Sequence, residues 1–102
     1  MHLIINENIE RLNEICRNYQ VKRLFVFGSA STGGFDDENS DIDLIVELEH
    51  MEPLQKGETL IDLWDKFEEL FDRRVDLLSG TKVRNPYLQM GIDATKQLIY
   101  EA

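Results

Sequence analysis

The apolar positions of this chain follow two periods. Behind Asn6, the residues Ile9, Leu12, Cys16 and Tyr19 recur at helical spacing, which predicts a first helix over about residues 7–19 with Asn6 as its N-cap. Arg23-Leu24-Phe25-Val26-Phe27 is a short run rich in β-formers that stops at Gly28 and reads as a buried strand. Residues 29–40, with Ser, Thr, Gly, Asp and Asn, read as a loop. Period two returns from Asp41 to Leu48, where Ile42, Leu44 and Val46 alternate with Asp41, Asp43, Ile45 and Glu47. Residues 49–57, which contain Pro53 and Gly57, read as a connection. Leu60, Leu63, Trp64, Phe67, Leu70 and Phe71 then share one helical stripe, opposed by Asp62, Asp65, Lys66, Glu68 and Glu69, and the aromatic residues of the stripe read as core. Arg74-Val75-Asp76-Leu77-Leu78 is a third strand, ended by Ser79-Gly80. Asn85-Pro86 opens a last helix with Leu88, Ile92, Leu98 and Ile99 as its apolar side. The order helix, strand, strand, helix, strand, helix predicts an α+β fold, a small mixed or antiparallel sheet packed with helices.

Composition narrows this picture. At 102 residues, 42% of them hydrophobic, the chain is expected to form a single domain over residues 1–102 with a modest core. Twenty acids against eleven bases give a formal charge of −9, which disfavours direct nucleic-acid binding and attachment to an anionic membrane. No apolar run approaches the ~20 residues that span a bilayer, and the opening Met1-His2-Leu3 carries no basic segment of a signal peptide. One cysteine suits a reducing compartment, so the expected location is cytoplasmic, with Cys16 a packed thiol rather than a nucleophile. His2 and His50 are too few and too far apart for a zinc site.

The candidate chemistry lies in acids on strands. Asp41 and Asp43 are two residues apart, so a pleated strand points both carboxylates to one face about 7 Å apart, with Ile42, Leu44 and Val46 turned toward the core. Like charges held together call for a cation between them, and carboxylate oxygens suit Mg²⁺. Asp76, on a strand expected to neighbour theirs, repeats the pattern, and three acids from two strands would make a two-metal site. Gly28-Ser29 at the end of the first strand adds a candidate phosphate-binding turn. Taken singly, Gly-Ser is a common turn and Asp-x-Asp suits a solvated edge. Together, in this order, they point to phosphoryl or nucleotidyl transfer from a nucleoside triphosphate.

The series Gly28-Ser29, Ser40-Asp41-Ile42-Asp43-Leu44 and Arg73-Arg74-Val75-Asp76-Leu77 resembles the minimal nucleotidyltransferases (MNT) of the DNA polymerase β-like superfamily, over nearly the whole chain. The resemblance implies a polymerase β palm-like nucleotidyltransferase fold. It implies that Asp41, Asp43 and Asp76 form the catalytic, metal-binding set for two Mg²⁺ ions, with Asp76 placed to serve as base. It implies that Gly28 and Ser29 hold the phosphates of ATP. Many members are antitoxins paired with a HEPN-domain toxin, and the activity implied is transfer of AMP from ATP to a tyrosine of that toxin. A chain this short has no spare domain to hold an acceptor, which agrees with a partner bringing it. Where many relatives have Ala-Arg-Gly after Gly-Ser, this chain has Ser31-Thr32-Gly33, a loss of charge that leaves a non-catalytic antitoxin acting by complex formation as the alternative. Nucleotidylation of a small molecule such as an antibiotic is a further alternative. The last helix and the Trp64 helix each offer a face for a homo-oligomer.

Overall fold

The computed structural model describes residues 3–28, 41–80 and 85–102. Their elements run α1 (Leu3–Glu7), α2 (Ile9–Asn18), β1 (Val21–Phe27), β2 (Ile42–Leu48), α3 (Pro53–Phe71), β3 (Val75–Ser79), α4 (Pro86–Thr95) and β4 (Gln97–Glu101). The strands form one mixed sheet in the order β3-β2-β1-β4. β1 pairs antiparallel with both β2 and β4, whereas β2 and β3 run parallel. A parallel pair needs a long crossover, and α3 supplies it between β2 and β3. The expected α+β class is the observed one.

The period-two residues sort the sheet into two faces. Leu24, Val26, Ile42, Leu44, Val46 and Val75 join Ile5, Leu12, Cys16, Leu63, Phe67 and Phe71 in the main core, beneath α1, α2 and α3. The opposite face carries a smaller cluster of Phe27, Ile45 and Ile92, with Phe25 and Leu78 packed on it. Cys16 is buried as expected, and burial pushes its thiol up to about 12, which makes it an inert packing group. Among the described residues no helix is long and apolar enough to cross a membrane.

Four local expectations are corrected. Asn6 is not an N-cap but lies inside α1, because Ile5 is buried and draws the opening residues into a helical turn. The break between α1 and α2 falls at Asn8, whose side-chain amide donates to the Ile4 carbonyl at 2.9 Å. Residues 53–57 are helix rather than connection. Pro53 occupies the first turn of α3, where its missing N–H costs nothing, and Glu52 before it is extended. The last helix ends at Thr95, and Gln97–Glu101 is a strand. The six-residue gap from Ile92 to Leu98 breaks the helical period, and the free edge of β1 pairs with Leu98 and Tyr100. Finally, Leu63, Phe67 and Phe71 are core as expected, but Trp64 is 44% exposed.

Phe67 is fully buried under the sheet. Phe67→Ala is expected to lower stability by about 3–5 kcal/mol in denaturant unfolding, the cost of deleting a core aromatic and leaving its cavity. A loss under about 1 kcal/mol would contradict this placement of the core.

Candidate active site

β2 delivers Asp41 and Asp43 because its alternate residues, Ile42 and Leu44, are held in the main core on the other face. Asp41 directly precedes the strand, and both carboxylates are half-buried. β3 delivers Asp76 in the same way, with Val75 buried and Asp76 exposed. The parallel register pairs Asp43 with Asp76, and the antiparallel register pairs Asp43 with Phe27 on its other side. Phe27, Asp43 and Asp76 therefore form one row across three strands, on the less covered face of the sheet.

Asp43 and Asp76 are joined by a side-chain hydrogen bond. Burial, that hydrogen bond, and the negative charges of Asp76 and then Asp41 push the Asp43 carboxyl up to about 6. A carboxyl so placed holds its proton up to about pH 6, and a positive group beside it favours the ionised form. The structure thus brings Asp43 and Asp76 into contact, while Asp41 acts on Asp43 through its charge. Among the described residues no three Asp, Glu, His or Cys side chains close into a ready-made metal cluster.

Gly28 ends β1 beside this row. Its φ of +68° lies in the left-handed region, and a Cβ there would lie 2.5 Å from Asp43 Oδ2. The left-handed φ favours glycine here, and the Asp43 carboxylate would have to shift to admit a Cβ. The Gly28 N–H donates to Thr95 Oγ1 at 3.0 Å, and Thr95 Oγ1 donates to the Gly91 carbonyl at 2.8 Å, so the end of α4 fixes the strand terminus. Ser29, Thr32 and the rest of residues 29–40, expected to be a loop, lie outside the described residues.

Phe27, Asp43, Trp64, Asp76, Leu77 and Leu78 line a cavity of about 310 Å³. Sequence reasoning missed both Trp64 and Thr95. Trp64 shares the helical stripe with Leu63. The one available signal was its offset toward the charged side of α3, next to Asp65. A larger cavity between α2 and α3, lined by Arg11, Glu14, Lys66 and Glu69 among others, lies away from the acidic row.

Two outcomes follow from this geometry. Because folding raises the Asp43 pKa from 3.8 to about 6, its protonated form is favoured in the folded state. The stability it contributes is complete below pH 3.8 and is lost as pH rises through about 6. Without divalent ions, Asp43→Asn is therefore expected to raise stability at pH 7.5 by about 1 kcal/mol, a figure reduced for the half-exposed setting. Thermal melts across this range check the sign, and a less stable Asn variant would contradict it. Gly28→Ala is expected to cost about 1–2 kcal/mol from its backbone alone, and more from the Asp43 contact, in the same melts.

Comparison with known proteins places this geometry in a family. Residues 10–102 match the family described as polymerase beta, nucleotidyltransferase. A Methanocaldococcus jannaschii protein provisionally named protein adenylyltransferase is 32% identical over 87 residues, covering 85% of this chain and 83% of its own. A second from that organism, with the same provisional name, is 32% identical over 97 residues, or 94% of this chain and 93% of its own. A solved structure described as a minimal nucleotidyltransferase is 27% identical, with a TM-score of 0.64 and coverage of 95% of both chains. A toxin–antitoxin structure with AMP-PNP shares the fold at a TM-score of 0.68 and 20% identity, covering 93% of this chain and 74% of that one. So does a Shewanella oneidensis complex of a tri-AMPylated HEPN toxin with its MNT antitoxin, at a TM-score of 0.62 and 17% identity, covering 95% and 72%. The chain belongs to the polymerase beta nucleotidyltransferase family and is a nucleotidyltransferase of the minimal type.

Proposed function

We propose that this nucleotidyltransferase uses Mg²⁺ to transfer AMP from ATP to a hydroxyl of a partner protein, and that the partner is a HEPN-type toxin restrained in the cytoplasm by that modification. The observation that carries the reading is the contact of Asp43 with Asp76 across β2 and β3, with Gly28 drawn up beside it. The names of the Methanocaldococcus relatives support protein as the acceptor class. The AMP-PNP complex and the AMPylated Shewanella toxin support ATP and a HEPN partner.

The residues present fit Mg²⁺. The donor set is all carboxylate oxygen, and the mutual repulsion that raises Asp43 is what a cation relieves. Mg²⁺ does not need a closed protein cage, since it completes its shell with water and substrate phosphates. When bound it would neutralise the triphosphate and the departing pyrophosphate. Asp41 and Asp43 would hold it, with Asp76 completing the set.

The chain's own residues then have distinct tasks. Asp76, the exposed member of the pair, takes the proton of the acceptor hydroxyl. The acceptor oxygen forms a bond to the α-phosphorus of ATP, the bond from that phosphorus to its bridging oxygen breaks, and pyrophosphate leaves. Gly28 admits the phosphates by having no side chain, because its N–H is already engaged by Thr95. Ser29, the next residue, would supply a hydroxyl to the same phosphates. Orientation by these groups carries most of the rate.

The test mixes the purified chain with ATP, Mg²⁺ and the product of the adjacent gene, expected to be a HEPN-type toxin, and reads that product by intact mass. An AMP-sized increase on the toxin with loss of toxicity is expected, and Asp43→Asn should slow it by about a hundredfold or more. Undiminished inhibition by Asp43→Asn, on a toxin of unchanged mass, would instead establish the binding-only antitoxin to which Thr32 gives some weight.

A further inference from the structure

The acidic row has two flanks of different character. On the β1 side stands Gly28, against whose backbone the Asp43 carboxylate closes. On the other side stands β3, the edge strand among the described residues. Beyond that edge stands Trp64 of α3. Its indole N–H donates to the carbonyl of Val75, the residue before Asp76, at 2.6 Å. That bond fixes the ring against the strand that carries Asp76. An indole with a satisfied N–H, 44% exposed, lining a cavity with two carboxylates, does no core packing that a leucine could not do.

We propose that Trp64 is the acceptor-side specificity residue of this site: its indole is the wall on which the ring of an incoming aromatic hydroxyl lies while the hydroxyl reaches Asp76. The proposal rests on reading Asp43 and Asp76 as the transfer site. The cavity, about 310 Å³, is at the small end of ligand sites, suited to one ring rather than a whole nucleoside triphosphate. Its walls of Trp64, Phe27 and Leu78 are apolar and its polar groups are the two carboxylates. A phenol meets both demands, with its ring on the walls and its O–H donated to a carboxylate. A serine hydroxyl would leave the walls uncovered. A nucleic-acid 3′ end would bring phosphates to a chain of net charge −9.

Trp64 is the single tryptophan, so its selectively excited emission reads this cavity without a label. In the full chain, N-acetyltyrosinamide is expected to shift or quench that emission saturably, while N-acetylserinamide does not. A non-hydrolysable ATP analogue with Mg²⁺ should leave the emission unchanged. With radiolabelled ATP and N-acetyltyrosinamide as acceptor, Trp64→Ala should raise the acceptor KM about five- to tenfold, with the KM for ATP unchanged. Trp64→Phe, which keeps an aromatic face but loses the N–H, should restore most of the acceptor KM. Emission that answers to the nucleotide and not to the phenol, or to neither, would overturn the proposal. So would a Phe variant as impaired as the Ala variant, since Trp64 would then only brace β3. If the wild-type chain transfers AMP neither to this phenol nor to the partner protein, the reading of the site as a transferase fails separately, and the fluorescence comparison still decides the role of Trp64.

Discussion

Asp43 and Asp76 repel one another when both are ionised, and the hydrogen bond between them lasts only while one of them keeps its proton. They are held side by side by the far face of the same two strands. Ile42, Leu44, Val46 and Val75 are all buried beneath α1, α2 and α3, and each contributes about 1.5–3 kcal/mol by leaving water. Repulsion between two carboxylates near a protein surface is about 4 kcal/mol at close range. Four buried side chains outweigh it. The parallel register of β2 and β3 is thus fixed by hydrophobic burial, and the acidic pair is its consequence on the opposite face.

The same register explains the neighbours of the pair. A parallel pair requires a crossover, and α3 makes it by packing Leu63, Phe67 and Phe71 on the core. That docking leaves Trp64 at the rim, where it bonds to the edge strand beside Asp76. On the other flank, β1 must turn away at once to let the Asp43 carboxylate stand, so Gly28 takes a left-handed conformation. α4 secures this turn through Thr95. The carboxylate row, the glycine and the indole are therefore products of one packing solution rather than three separate devices.

Much of this was legible along the chain, and the reasons are physical. Period-two alternation names the faces of β2 without any tertiary knowledge, so Asp41 and Asp43 could be placed together, and Val75-Asp76-Leu77 could be matched to them. The polymerase β-like resemblance rests on Gly28-Ser29, Asp41-Ile42-Asp43 and Asp76 standing in that order. What escaped depends on long-range partners. Gln97–Glu101 becomes a strand because β1 offers it an edge, a fact absent from its local pattern. Asn8 rather than Asn6 marks a helix boundary because Ile5 finds a buried site. Trp64 shares a stripe with core residues yet faces the site, since only the position of β3 separates the two environments. Thr95 engages Gly28 from 67 residues away, beyond the reach of any spacing rule.

The claim on which the function rests is that Asp41, Asp43 and Asp76 jointly hold divalent cations. Titration of the isotopically labelled chain with Mn²⁺, in the presence of a non-hydrolysable ATP analogue, tests it most directly by NMR. Paramagnetic broadening is expected first at Asp41, Asp43 and Asp76 and at Gly28 beside them, and Asp43→Asn should abolish it there. Broadening that instead begins on the acidic side of α3, at Asp62 or Asp65, and spares the β2–β3 pair would contradict it.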